Sequence, residues 1–197
     1  MTKEMILKSL ATNGYNVGFG AKKNFASYDL VIKLPSWIGF ITLALGIIQL
    51  GYPVIGNCKW LSTILILVSV AALYINVFNS TADKFEEEGI RLTKLFNRLR
   101  NLYLKVKSSD KNDSTDEVNE MNGIMEEYYS NVISKQVFMS QWFAHFKFFY
   151  EMQIDWVDEQ LKFGFFKDKI PNSLKSTTIF LFIIFLIYAY YEYIRCV

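Results

Sequence analysis

Inside the apolar run Trp60 to Phe78, WLSTILILVSVAALYINVF, hydrogen-bonding side chains return every seven residues at Ser62, Ser69 and Asn76, and Asp83 continues the series. On an α-helix a step of seven comes back to within roughly 20° of the same direction, so these groups share one face. Hydroxyls and an amide aligned in an apolar helix either bond a neighbouring helix, at about 0.6 kcal/mol each, or line a path for water and ions. Thr42, in the preceding apolar run, shares a similar arc with Gly39, Gly46 and Gln49. Thr42, Ser62, Ser69 and Asn76 are therefore the candidate pore lining. Beyond them stand Asp83, Glu86, Glu87 and Glu88. Repeated around an oligomer, such carboxylates form acidic rings that favour cations; in a single chain they are a solvated charge run. Gly39 and Gly46 would let another backbone approach closely, which makes them helix-packing positions.

Other candidates for chemistry are weak. His145 is the only histidine and has neither a second metal ligand at helical spacing nor a nucleophile beside it. Asp155, Asp158 and Glu159 lie on a surface-type helix with no acid–base partner in sequence. Cys58 and Cys196 form neither a metal spacing nor a disulfide framework. GYNVGFG lacks the preceding strand and the spacing of a phosphate-binding loop. The expectation is a protein that is not an enzyme and has no catalytic, metal or cofactor-binding residues.

The elements that must position the polar face follow from the charges. The chain has 197 residues and a net charge of +2, is 52% hydrophobic, and keeps Lys and Arg out of residues 35–58, 60–83 and 176–194. Each window is long enough to cross roughly 30 Å of hydrocarbon at about 1.5 Å per residue. The N-terminus shows no apolar block followed by a small-residue cleavage site, so no signal peptide is read. Residues 1–33 read as an amphipathic helix, with Pro35 near the start of the next one. Residues 34–78 read as a transmembrane hairpin closed by GYPVIGNCK. Residues 79–175 read as a helical hairpin and residues 176–197 as a C-terminal helix that spans.

Past Phe78 no breaker interrupts the helix, and Phe85, Leu92, Leu95, Leu99 and Leu102 form an apolar seam. That seam serves either an oligomer or a bundle within one chain. After the loop SSDKNDSTD, the residues Val118, Met121, Met125, Tyr128, Val132 and Met139 restore an apolar face on a returning helix. The aromatic-rich stretch 141–169 suits either a membrane interface or a core against the first long helix. Glu192 and Arg195 have the i, i+3 spacing of a pair. Lysines and arginines flank residues 34–78 on both outer sides, which by the positive-inside rule puts the N-terminus and the central helical region in the cytoplasm. The basic run Arg91, Lys94, Arg98, Arg100, Lys105, Lys107 reads as attracted to anionic lipid, with direct nucleic-acid binding unsupported.

The stretch YNVGFGAKKNFASYDLVIKLPSWIGFITLALGIIQL, continuing through the turn into WLSTILILVSVAALYINVFNSTADKFEEEGIRLTKLFNRL, resembles the SLATT family, the SMODS- and SLOG-associating two-transmembrane effector domains. The resemblance covers roughly residues 15–107 by motif; beyond that the layout is similar to the longer subfamily associated with reverse transcriptases. It implies an all-α integral membrane protein of the bacterial inner membrane, a pore-forming effector of anti-phage defence and abortive infection. It also implies a homo-oligomer in membrane lipid that permeabilises or depolarises the membrane on activation. The activating partner it implies is a reverse transcriptase or a nucleotide-signal synthase or sensor. A third apolar segment departs from a strict two-span plan. The rival expectation is a non-conducting membrane-anchored adaptor that recruits a soluble partner.

Overall fold

In the computed structural model of the chain, residues 2–109, 115–130 and 136–196 are described, with only the backbone considered at 189, 190 and 192–196. The expected loop core at 110–114, Val132 and the Glu192–Arg195 pair lie outside the described residues. One compact unit is Met1–Leu161 and a second is Lys162–Val197.

The first unit is built on one long helical hairpin. Helix α1 runs through Lys3–Gly51 (49 residues), a length of about 73 Å. It does not break at residue 33: Pro35 lies inside it. Proline removes the hydrogen bond to the Val31 carbonyl, a loss that membrane helices tolerate because neighbouring groups re-satisfy the backbone. The one-turn helix α2 (Pro53–Gly56) closes the hairpin, with proline at its start. A Cβ on Gly56 would come within 2.7 Å of the Gln49 carbonyl oxygen, so this close approach needs glycine.

Helix α3 is Lys59–Asn76 and α4 is Ala82–Ser108. The helix expected to continue unbroken past Phe78 is in fact interrupted by a 3₁₀ turn at Asn79–Thr81, where Thr81 Oγ1 bonds back to the Phe78 carbonyl at 2.8 Å. Facing residues keep one antiparallel register throughout. Lys3 bonds the Ser109 carbonyl, Gly20 faces Leu92, Gly89 faces Phe25, and Gln49 bonds Ser62.

Helices α5 (Thr115–Ser130), α6 (Ser140–Glu151) and α7 (Asp155–Leu161) cover the far half of this hairpin. Met121 and Met125 are buried as the return face requires, joined by Ile124, while Val118 and Tyr128 are half-buried. Met139 is not on that face. It precedes α6 with φ 66°, in the left-handed region, and is exposed. The seam residues Phe85, Leu92, Leu95, Leu99 and Leu102 are all buried, and α4 meets chiefly α1. The inner half of the aromatic stretch is core: Phe148 meets Tyr15 and Phe19, and Trp156 meets Phe96 and Tyr103. Nearest the apolar spans, Val31, Ile75, Ala82, Phe85 and Val137 close the core.

In the second unit, a π-helical turn at Phe165–Lys169 precedes α8 (Asn172–Cys196). The Gly164 amide donates to Asp168 Oδ2 at 2.9 Å, and the apolar side chains from Ile179 to Tyr188 on α8 are exposed. No strand occurs among the described residues.

Candidate functional site: the membrane hairpin and its polar seam

Two segments of the hairpin, within α1 and within the run from Lys59, are long and apolar enough to cross a membrane, and only 6% of each apolar window is buried. A soluble core helix would be covered. Here Trp37, Phe40, Leu43, Ile66, Leu67 and Leu73 face outwards, as lipid contact requires.

Between the spans runs a narrower seam. On α1 it is made by Ile38, Thr42, Leu45 and Gln49, and on α3 by Ser62, Leu65, Ser69, Ala72 and Ile75. Gln49 Nε2 donates to Ser62 Oγ at 3.1 Å, the single side-chain bond across the spans among the described residues. The same register sets Thr42 level with Ser69, whose hydroxyl donates to the Leu65 carbonyl at 2.8 Å. Thr42, Ser62 and Ser69 are thus brought together, half-buried, on the hairpin's own seam. Asn76, the last residue of α3, continues the same seven-residue series but is exposed. Gly39 and Gly46 have no described neighbour within 4 Å of a built Cβ, so neither packs the two spans against each other. Gln49 joins Thr42, Ser62 and Ser69 on that seam, as its seven-residue step from Thr42 allows.

The acidic residues divide. Asp83 and Glu87 are exposed and Glu86 is half-buried at the start of α4, where negative charge suits the helix dipole. Glu88 is buried and taken up by Arg91, whose Nε and Nη2 reach its two oxygens at 2.8 and 2.7 Å. That hydrogen bonding holds Arg91 above its ordinary pKa. Most of the basic run is also engaged within the chain. Arg98 pairs with Glu127, Lys105 with Glu117, and Lys107 with Glu159.

A further charge cluster was missed because its partners are far apart in sequence. Asp29 binds Lys147 and Lys33, each at 2.6 Å, and Lys147 also lies 3.8 Å from Glu151. Burial alone would raise Asp29, but hydrogen bonds from Lys147 and Lys33 outweigh it and hold the carboxyl below the usual range. Burial pushes nearby Lys22 down, partly opposed by Glu151. Only the Asp29–Lys33 half was readable, from its i, i+4 spacing. His145 sits among aromatic rings, 4.9 Å from Phe19 and 5.7 Å from Phe149. Among the described residues no three His, Cys, Asp or Glu side chains are grouped to hold a metal ion.

An antiparallel helical hairpin, bare and apolar at one end and sheathed by short helices at the other, defines an all-α membrane protein with two spans in its first unit. The chain belongs to the family described as SMODS and SLOG-associating 2TM effector domain 6, which it matches over residues 1–178. It is therefore a membrane effector of the kind found in defence systems. The match ends within α8, leaving most of that apolar helix beyond it. No curated protein and no solved structure matches the chain significantly.

Proposed function

We propose that this chain is a pore-forming effector of bacterial anti-phage defence. Copies assemble in the inner membrane, turn the groups Thr42, Ser62, Ser69 and Asn76 around a shared axis, and depolarise the cell when a partner signals infection. The observation that carries this reading is the distribution of polarity. Thr42, Gln49, Ser62 and Ser69 gather on one seam while the lipid-facing sides are apolar. Two helices cannot enclose a channel, so conduction requires several copies. The apolar seam of α4 is already covered by α1, so assembly falls to the membrane half, where Gly39 and Gly46 leave room for another backbone. Asp83, Glu86 and Glu87 would then ring the mouth and favour cations. A reverse transcriptase or a nucleotide-signal synthase or sensor is the proposed activator.

The Gln49–Ser62 bond favours a second reading, because it satisfies two polar groups within one chain. In that reading the spans only tether, and α4–α7 recruit a soluble partner. Collapse of an imposed potential across vesicles containing the purified protein and its activator separates the two. A pore collapses the potential and loses that ability in Ser69→Leu/Asn76→Leu. Vesicles that hold their potential with the activator present leave the adaptor.

A further inference from the structure

The boundary between the bare and sheathed halves of the hairpin is marked on both helices. On α1 it lies between Lys33 and the exposed Trp37; on the other strand of the hairpin it lies between the exposed Tyr74 and the polar turn Asn79–Thr81. A third segment arrives at this level. Val137 is buried with Val31, Ile75, Ala82 and Phe85, the residues that straddle the boundary. The next two residues do the reverse, for Phe138 is 76% exposed and Met139 48%.

This turn is not slack. Met139 has φ 66° and ψ −4°, a left-handed conformation in which non-glycine residues are uncommon. The chain is fixed on both sides of it. Gln136 Oε1 lies 2.7 Å from Ser27 Oγ, Ser140 is buried, and Lys147 is clamped to Asp29. Side chains as apolar as these are ordinarily drawn inward. Holding both outward against a strained backbone points to a function for the exposed pair.

We propose that the Phe138–Met139 turn docks into the interface of the bilayer that the hairpin crosses, with its two side chains at the acyl boundary and the exposed Lys84 among the headgroups. The lipid surface is the occupant because the turn is continuous with the spans. It stands at the level where their lipid-facing residues end, and peripheral apolar groups enter a bilayer by about 5–10 Å. Phe146 and Tyr150, stacked and exposed on α6, do not share this position. Their stretch of α6 lies against Tyr15 and Phe19, roughly 20 Å further down α1. The turn thus ties the start of α6 to the membrane, so a displacement of α6 would be felt where the spans begin.

The inference rests on the membrane hairpin and is independent of conduction. The test uses the full chain in vesicles of phosphatidylethanolamine and phosphatidylglycerol, with Cys58→Ser and Cys196→Ser. Nitroxide labels go singly at Phe138→Cys, Ile66→Cys and Tyr150→Cys, all exposed positions. Collisions with lipid-soluble oxygen and with a water-soluble nickel chelate report depth. The expected result is an oxygen-to-nickel ratio at 138 severalfold above that at 150 and nearer that at 66. A ratio at 138 equal to that at 150 overturns the proposal. A water-like ratio at 66 overturns it together with the membrane hairpin itself. Label–label broadening at 138 with both colliders excluded would put a second copy there instead of lipid, and would also overturn it.

Discussion

Over residues 3–34 and 82–108 the long hairpin buries Leu10, Val17, Leu95 and Leu99 almost completely; over residues 37–50 and 60–74 the same two helices leave Trp37, Leu43, Ile66 and Leu73 bare. Glycines make the contrast sharper. A Cβ on Gly14 would run into Trp156, one on Gly18 would come within 2.8 Å of Phe96, and one on Gly89 within 3.0 Å of Phe25. Gly39 and Gly46, in the same helix as Gly14, meet nothing described. One half is therefore a finished protein core in which small residues admit large rings. The other half is finished only by something outside the unit, lipid included.

The largest effect expected from this comparison comes from filling the two kinds of glycine. Gly14→Val should cost about 3 kcal/mol of stability, the upper end for overpacking, because Trp156 is wedged between Phe96 and Tyr103 and has nowhere to go. Gly39→Val should stay within about 0.5 kcal/mol, as exposed substitutions do. Denaturant unfolding in nanodiscs measures both. Equal losses would break the comparison, since Gly39 would then be packed as tightly as Gly14.

A smaller effect is expected at Asp29, near the join of the two halves. Its side chain and that of Lys147 are 12% and 15% exposed, so Asp29→Asn should cost about 2 kcal/mol, below the 3–5 kcal/mol of a fully buried broken pair. The folded-state pKa of Asp29 is depressed, so its contribution is present above the unfolded value of about 3.9 and is lost as pH falls through the folded value. Melting of the wild type should therefore fall towards that of Asp29→Asn as the pH drops below about 4. A gap between the two that stays constant from neutral pH to strong acid would mean that Asp29 holds α6 by shape and not by charge.

The elements of this fold were largely legible and its contacts were not. Apolar runs and the Phe85–Leu102 seam declare themselves because burial imposes a 3.6-residue period on α4. Pro35 misled because proline usually opens a helix, whereas at a membrane boundary the long hairpin carries it through. Gly14 and Gly18 stand four apart, which puts them on one face of α1, but the rings that need the space, Trp156, Phe96 and Phe148, are 78 or more residues away. The step of seven aligned Ser62, Ser69 and Asn76 on one helix, yet it could not say which way that face points. The register with α1 decides this: it turns Ser62 and Ser69 towards α1, whereas Asn76, the last residue of α3, is left exposed.

The finest point on which the two halves can be separated is the Gln49–Ser62 hydrogen bond. A double-mutant cycle with Gln49→Leu and Ser62→Ala should return a coupling of about 0.6 kcal/mol, the usual size for a side-chain bond between membrane helices. That value already allows for the other partners the two groups find within the membrane when separated. If the coupling is near zero, each group finds water in the absence of the other, because a buried group left truly unsatisfied would register a loss. A wet seam inside a bare apolar hairpin would mean that the membrane half is already hydrated at rest. The step from effector to conducting pore would then be a widening of an existing path, and the dry, lipid-finished half assumed in the comparison would have to be given up.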